Sequence, residues 1–472
     1  EIDSSRPINV LVDLGNVRPA GEKLKGFGGT SNPIKLKKMF YRIAEILNNA
    51  VGRQLNSVEC CLLLDEAATV VVAGNIRRSA GMRQFGSSDL TAATAKDNLW
   101  QQDEDGEWKI DPKRDALRMA NHTRVFHTKP SLEEVKKAVT KQFFSGEGAI
   151  QYAPEALARA NVDLLNTEEK RKHFIDLYCN QDRGLAADYL ASLERDELPM
   201  DNSELDHRMT RYGLNPCGEI IGTDFHCNLS EIHLNQIDPH DWDAQERAFR
   251  AGALAAGALL HHTFEAPRYR ESRELDPIVG VSFTGLFDFF VNSLGAEWLQ
   301  WFVDGRPQNT AGTVFRWEEA SCLKRWRKVV EQTLEEYCLK HGLKVPNRAT
   351  TVQPAGTKSL LTGASSGWHP PKSQRFIRRI TFRKDDPVAL ACIDYGYSVV
   401  PSQSDKDEDG KLLNDPFDER CTEWLVEIPY STAWADLPGC DDIDISKISA
   451  AAQYDFYMQV QTHYTAHNTS AT

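Results

Sequence analysis

Short apolar, β-branched runs alternate with long stretches of helical periodicity along this chain. Thr350-Thr351-Val352, Arg379 to Phe382 and Trp424 to Ile428 read as strands. Trp242 to Phe264, Glu318 to His341 and Asp444 to Tyr464 read as long helices. Asn32-Pro33 opens another, with Leu36, Phe40, Ile43 and Leu47 spaced to lie on a core. Ser57 caps a helix through Cys60, Cys61, Leu64 and Ala68 that stops near Gly74, although Thr69 to Ala73 suits a strand equally. Ser131 and Glu134 form a capping box. Residues 99–115, 193–209 and 402–419 are polar and read as loops. Strand–helix alternation of this kind argues an α/β fold with much parallel sheet. No linker forces a split, so one domain over 1–472 is expected.

Charge narrows the partners. Asp and Glu number 68 against 55 Lys and Arg, a formal charge of -13. An acidic body is a poor docking surface for a nucleic-acid backbone, so direct nucleic-acid binding is not expected. A small anion needs only local N–H donors. No run approaches the ~20 apolar residues of a membrane span. The ten cysteines are dispersed, without CxxC or zinc spacing, so no metal site is expected and a reducing cytoplasm is.

Four segments could carry chemistry. In Asn215-Pro216-Cys217-Gly218-Glu219-Ile220, Pro and Gly bracket a thiol. Extended backbone would put Asn215, Cys217 and Glu219 on one side, joining a thiol, a general base and an amide. Cys227 follows ten residues later, and two thiols at one pocket could supply two electrons as a disulfide. A buried turn cysteine and a solvated carboxylate suit the same residues. In Pro354-Ala355-Gly356-Thr357-Lys358-Ser359, a strand, a Gly turn and a helix start make an anion cradle or an ordinary helix cap. Gly26-Phe27-Gly28-Gly29-Thr30 allows close backbone approach to a ligand or is a flexible turn. Gly74-Asn75-Ile76-Arg77-Arg78 could grip phosphates or bases, or be a solvated basic turn.

Together and in this order, the four resemble the large catalytic chain of ribonucleotide reductases, with the closest flavour that of the monomeric, adenosylcobalamin-dependent class II. The resemblance runs over essentially the whole chain. It implies a ten-stranded α/β barrel, incomplete here, around a central finger loop. In it Cys217 is the thiyl radical that takes the substrate 3′-hydrogen. Glu219 takes the 3′-hydroxyl proton, Asn215 holds the ribose, and Cys227 is one of two reducing thiols. Gly28 and Gly29 lie beside the substrate. Pro354, Ala355, Gly356, Thr357, Lys358 and Ser359 hold its phosphates. Gly74, Asn75, Ile76, Arg77 and Arg78 form the specificity loop that answers a deoxynucleotide or ATP effector.

The implied substrate is a ribonucleoside di- or triphosphate, and the implied reductant an external dithiol such as thioredoxin. Class I chains place paired tyrosines near the last helix. Tyr464-Thr465-Ala466-His467 has a single one, which favours adenosylcobalamin over a radical-supplying dimetal partner subunit. The family's barrel begins well before its Gly-rich segment and ends in a tail with a cysteine pair. Here that segment starts by residue 18 and the chain ends at Thr472, so a complementing N-terminal segment is expected.

Overall fold

The computed structural model describes residues 11–22, 31, 33–70, 80–146, 148–193 and 200–471. Gly28 and Gly29 lie outside them, as do Gly74 to Arg78. The chain packs as two compact units: Glu1–Phe126 with Pro130–Gln151 and Ile377–Pro429, and Tyr152–Phe376 with His127–Lys129 and Tyr430–Thr472.

The first unit holds the helices Pro33–Asn49 and Ser57–Thr69 and a parallel strand pair, Gly81–Gly86 with Ala120–Phe126. Helix Pro33–Asn49 buries Met39 and Ile46, while Phe40 and Leu47 are exposed. The apolar stripe is therefore turned from the expected one, because Met39 extends it where Phe40 was assigned. In helix Ser57–Thr69 the cap is Asn56, which shares a capping box with Glu59. Ser57 is the first helical residue. Cys61 and Leu62 are buried, whereas Cys60 and Leu64 are exposed. Residues 99–115 are not all loop. Trp100–Gln102 and Trp108–Ile110 pair antiparallel, and Ile110 is buried.

The second unit is built on a parallel layer. Strand Asn228–His233 pairs with Val279–Thr284 in register from Asn228↔Val279 to His233↔Thr284. Parallel bridges then link Val281 to Thr350 and Val352 to Thr469. Among the described residues no sheet closes into a barrel, and the named sheets have two or three strands.

Strand Val279–Thr284 is buried along its whole length, so its alternation sorts two environments. Val279, Val281 and Phe283 join the main core with Phe249, Trp326, Val330, Phe456 and Tyr464. That core comes from helices Trp242–Ala258, Leu286–Val303, Thr310–His341 and Ala450–His463. Gly280, Ser282 and Thr284 face the other way. A Cβ on Gly280 would sit 2.6 Å from Leu229, 2.7 Å from Thr351 and 3.1 Å from Ile220, so glycine is what lets these side chains close over the strand. Helix Thr310–His341 is longer than its expected span because Asn309 caps it, accepting from the Gly312 N–H at 2.7 Å. Gly342, at φ +63°, closes it. Helix Asn202–Met209, capped by Asp201, falls where acidic composition suggested loop. Among the described residues, no helix is long and apolar enough to cross a membrane.

Arg306 ties these helices together. Its guanidinium bonds both Glu319 oxygens, at 2.8 and 2.7 Å, and Asp455 at 2.6 Å. Trp298 Nε1 also donates to Glu319, at 2.9 Å. Arg306 and Glu319 are both buried, so removing one partner strands a charge in the core. Glu319→Ala is expected to lower unfolding stability by about 3–5 kcal/mol in urea titration. A loss below 1 kcal/mol would mean that the pair contributes little.

Candidate active site

Asn215 to Ile220 forms a tight turn rather than extended backbone. Gly218 N–H donates to the Asn215 carbonyl at 2.8 Å, and Leu214 pairs antiparallel with Ile221. Gly218 has φ +72°, the left-handed region that glycine enters without penalty. The Asn215 side chain knits the turn, its Oδ1 accepting from the N–H of Glu219 at 3.1 Å and of Ile220 at 2.9 Å. Strand alternation does not apply, yet amide, thiol and carboxyl still gather, because a four-residue turn folds them back on one another.

Other segments hold the carbonyls of this turn. Ser470 Oγ donates to the Cys217 carbonyl at 2.7 Å, and Asn468 Nδ2 to that of Gly218 at 2.6 Å. The Glu219 carbonyl accepts from Thr351 Oγ1 at 2.7 Å and from the Asn468 N–H at 3.2 Å. Arg348 Nη2 reaches the Ile221 carbonyl at 3.3 Å, and the Ile221 N–H donates to His467 Nδ1 at 3.5 Å. His467 is fully buried, and burial drives its pKa down to about 3. It is therefore neutral, with Nδ1 accepting and Nε2 donating to the Val279 carbonyl at 3.0 Å. Residues 348–351 and 465–470 thus fix where Cys217 points.

The side chains differ in exposure. Cys217 is exposed at the tip, whereas Glu219 is only 2% exposed. Burial raises the Glu219 carboxyl above its ordinary range, while Asn215 and Lys358 oppose the rise. Burial and the Glu219 charge push the Cys217 thiol up, and Lys358 opposes them. Cys227 is pushed up to about 12, first by burial and then by Glu219 and Cys217. Glu219 thus acts on the ionisation of both Cys217 and Cys227, and the Asn215 side chain bonds the turn that carries Cys217 and Glu219.

Pro354 to Ser359 enters the same cluster through Lys358. Gly356, Thr357 and Lys358 are exposed and Ser359 is buried. Ala355 takes φ +54°, a strained conformation for a residue with a Cβ. Residues Lys358–Leu361 form one short 3-10 turn rather than an α-helix start. Lys358 Nζ lies 2.5 Å from Gln353 Oε1 and 3.4 Å from Glu231 Oε2. Glu231, Gln353 and Ser282 were not singled out from sequence. The available signal was an acid, Glu231, inside the otherwise uncharged strand Asn228–Ile232.

No family model matches the chain. The resemblance read from its motifs is borne out by curated relatives. It is 26% identical to an adenosylcobalamin-dependent ribonucleoside-triphosphate reductase of Levilactobacillus brevis, over 98% of this chain and 54% of that protein. It is 27% identical to the protein of the same name from Lactobacillus leichmannii, over 100% of this chain and 56% of that one. A crystal structure of a B12-dependent class II ribonucleotide reductase superposes with TM-score 0.65 at 22% identity, covering 97% of this chain and 55% of that one. The α/β fold is therefore of that kind. The chain spans about half the length of the curated relatives it matches.

Thiol chemistry tests this geometry. Alkylation needs thiolate, and a thiol raised to about 12 carries roughly a thousandfold less of it at pH 8 than an ordinary one. Mass-spectrometric mapping of iodoacetamide labelling at pH 8 should find Cys217 modified well before Cys227. Equal rates would contradict the placement of Cys227.

Proposed function

We propose that the chain is catalytic-core sequence of a ribonucleotide reductase, which converts ribonucleotides to 2′-deoxyribonucleotides by thiyl-radical chemistry. The observation that carries this reading is an exposed thiol on a rigid turn beside a buried carboxyl, with a second thiol held protonated nearby. Similarity over nearly the whole chain to proteins named for this activity supports it.

In this reading residues 215–221 are the tip of the finger loop, and the parallel layer is part of a ten-stranded α/β barrel. Cys217, as thiyl, takes the 3′-hydrogen of the substrate and becomes a thiol. Glu219 accepts the 3′-hydroxyl proton. Its burial makes it a stronger base than a free carboxylate, while Asn215 favours its ionised form. Asn215 orients the ribose through the amide that also knits the turn. Cys227, raised to about 12, keeps its proton at neutral pH and can give it to the departing 2′-hydroxyl. Its electrons and those of a second thiol then form a disulfide, which an external dithiol such as thioredoxin reopens.

Pro354 to Ser359 receives the substrate's di- or triphosphate. By the same resemblance Gly28 and Gly29 would serve the substrate and Gly74 to Arg78 would answer a deoxynucleotide or ATP effector.

Adenosylcobalamin supplies the initiating radical when bound. Cys217 fits that demand, being the exposed member of the cluster. Where class I chains place adjacent tyrosines for a radical relay from a dimetal partner, this chain has the single Tyr464. It is fully buried, packs against Phe283 and donates its O–H to the Val281 carbonyl at 2.9 Å.

The test is anaerobic exchange of solvent tritium into the 5′ position of adenosylcobalamin, with an effector deoxynucleotide present. It requires Cys217 but not the reducing pair. Exchange that Cys217→Ser abolishes is expected. Exchange retained in Cys217→Ser, or none even with a complementing N-terminal segment supplied, would overturn the assignment.

A further inference from the structure

The parallel layer carries a buried polar cluster, and the reaction above makes no use of its strand residues. Glu231, Ser282 and Gln353 come from three neighbouring strand segments and meet there. Ser282 Oγ accepts from the Gln353 N–H at 2.9 Å and faces Glu231 Oε2 at 3.5 Å. The Glu231 side chain is 3% exposed, Gln353 is 6% and Ser282 is 0%.

Glu231 Oε1, Gln353 Nε2 and the nearby Glu219 Oε2 are buried without a hydrogen-bond partner. A core leaves such atoms unpaired only at a cost in stability. Lys358 is the cation of this cluster. Its ammonium is held inward by Glu231 and Gln353, although its side chain is 46% exposed and belongs to the loop assigned to phosphates.

We propose that Lys358 is a phosphate-operated latch, held by Glu231 and Gln353 when the site is empty and drawn out by the polyphosphate of an incoming nucleotide. The proposal rests on the reading of Pro354 to Ser359 as the phosphate loop. A polyphosphate carries more charge than one carboxylate and is solvated where Glu231 is not, so it can compete for the ammonium.

Leaving the cluster removes the one cation that contacts Glu231 among the described residues. The other titratable groups acting there are His233 on the same strand and Glu219 on the turn. Burial already raises the Glu231 carboxyl, and Lys358 is the largest influence opposing it. Without that ammonium, a carboxylate at this depth takes a proton from solvent. The released Gln353 side chain and the neutral Glu231 then present hydrogen-bonding groups beside Glu219. The latch would thereby couple phosphate arrival to the state of this acid cluster.

The test is isothermal titration of the full 472-residue chain with inorganic tripolyphosphate and with CTP at pH 7, in PIPES and in Tris. Buffer dependence of the heat reports proton uptake. Wild type should take up protons on binding. Glu231→Gln, nearly isosteric, should bind about fivefold more tightly, the scale of a partly exposed ion pair, and should lose the uptake. Lys358→Met should weaken binding, and adding Glu231→Gln to it should change nothing further. Binding weakened by Lys358→Met but unmoved by Glu231→Gln, with uptake retained, overturns the latch alone. Binding that Lys358→Met does not weaken places the phosphates elsewhere and overturns the loop reading with it.

Discussion

The turn that carries Cys217 depends on the capture of four of its carbonyls, those of Cys217, Gly218, Glu219 and Ile221, while that of Ile220 accepts from the Asn215 N–H at 3.2 Å. A turn that must present a thiol cannot also be buried by it, so its rigidity has to come from its backbone. Ser470, Asn468, Thr351 and Arg348 provide that by donating to its carbonyls, while His467 accepts the Ile221 N–H. Each bond is modest, of order 1 kcal/mol. Their effect is geometric, since they hold the turn against the parallel layer, where Ile220 packs on Gly280.

The layer separates two jobs by parity. Val279, Val281, Phe283, Ile232 and Val352 face the helices and supply the apolar burial. Ser282, Glu231 and Gln353 face the turn and are nearly as buried. Desolvation therefore acts on every ionisable group of the cluster, raising Glu219, Glu231, Cys217 and Cys227 together. Lys358 opposes the shifts of Glu219, Glu231 and Cys217, and at Glu231 it is the largest opposing influence.

Much of this was legible in the sequence. Asn215-Pro216-Cys217-Gly218-Glu219 announced a presented thiol, and Pro354 to Ser359 a loop after a short strand. The geometry between them was not legible. Alternation put Asn215, Cys217 and Glu219 on one side of a strand, whereas Gly218 at φ +72° makes a turn that reaches the same grouping by another route. Glu231 escaped notice because a charge in a short strand looks solvent-facing until a second layer covers it. The anchors Asn468 and Ser470 lie some 250 residues from the turn, and no local rule links positions so distant. Helix Asn202–Met209 was hidden by its acidic composition, although Asp201 ahead of Glu204 is a legible cap.

The central claim is that residues 465–470 hold the turn that presents Cys217. Hydrogen–deuterium exchange by mass spectrometry on the peptide covering 213–222, compared between the native chain and Asn468→Ala, tests it most directly. The account predicts that removing this one side chain speeds exchange at the Gly218, Ile220 and Ile221 amides while the strand Val279–Thr284 stays protected. Unchanged exchange across 213–222 would contradict it, since the turn would then be rigid without its anchor.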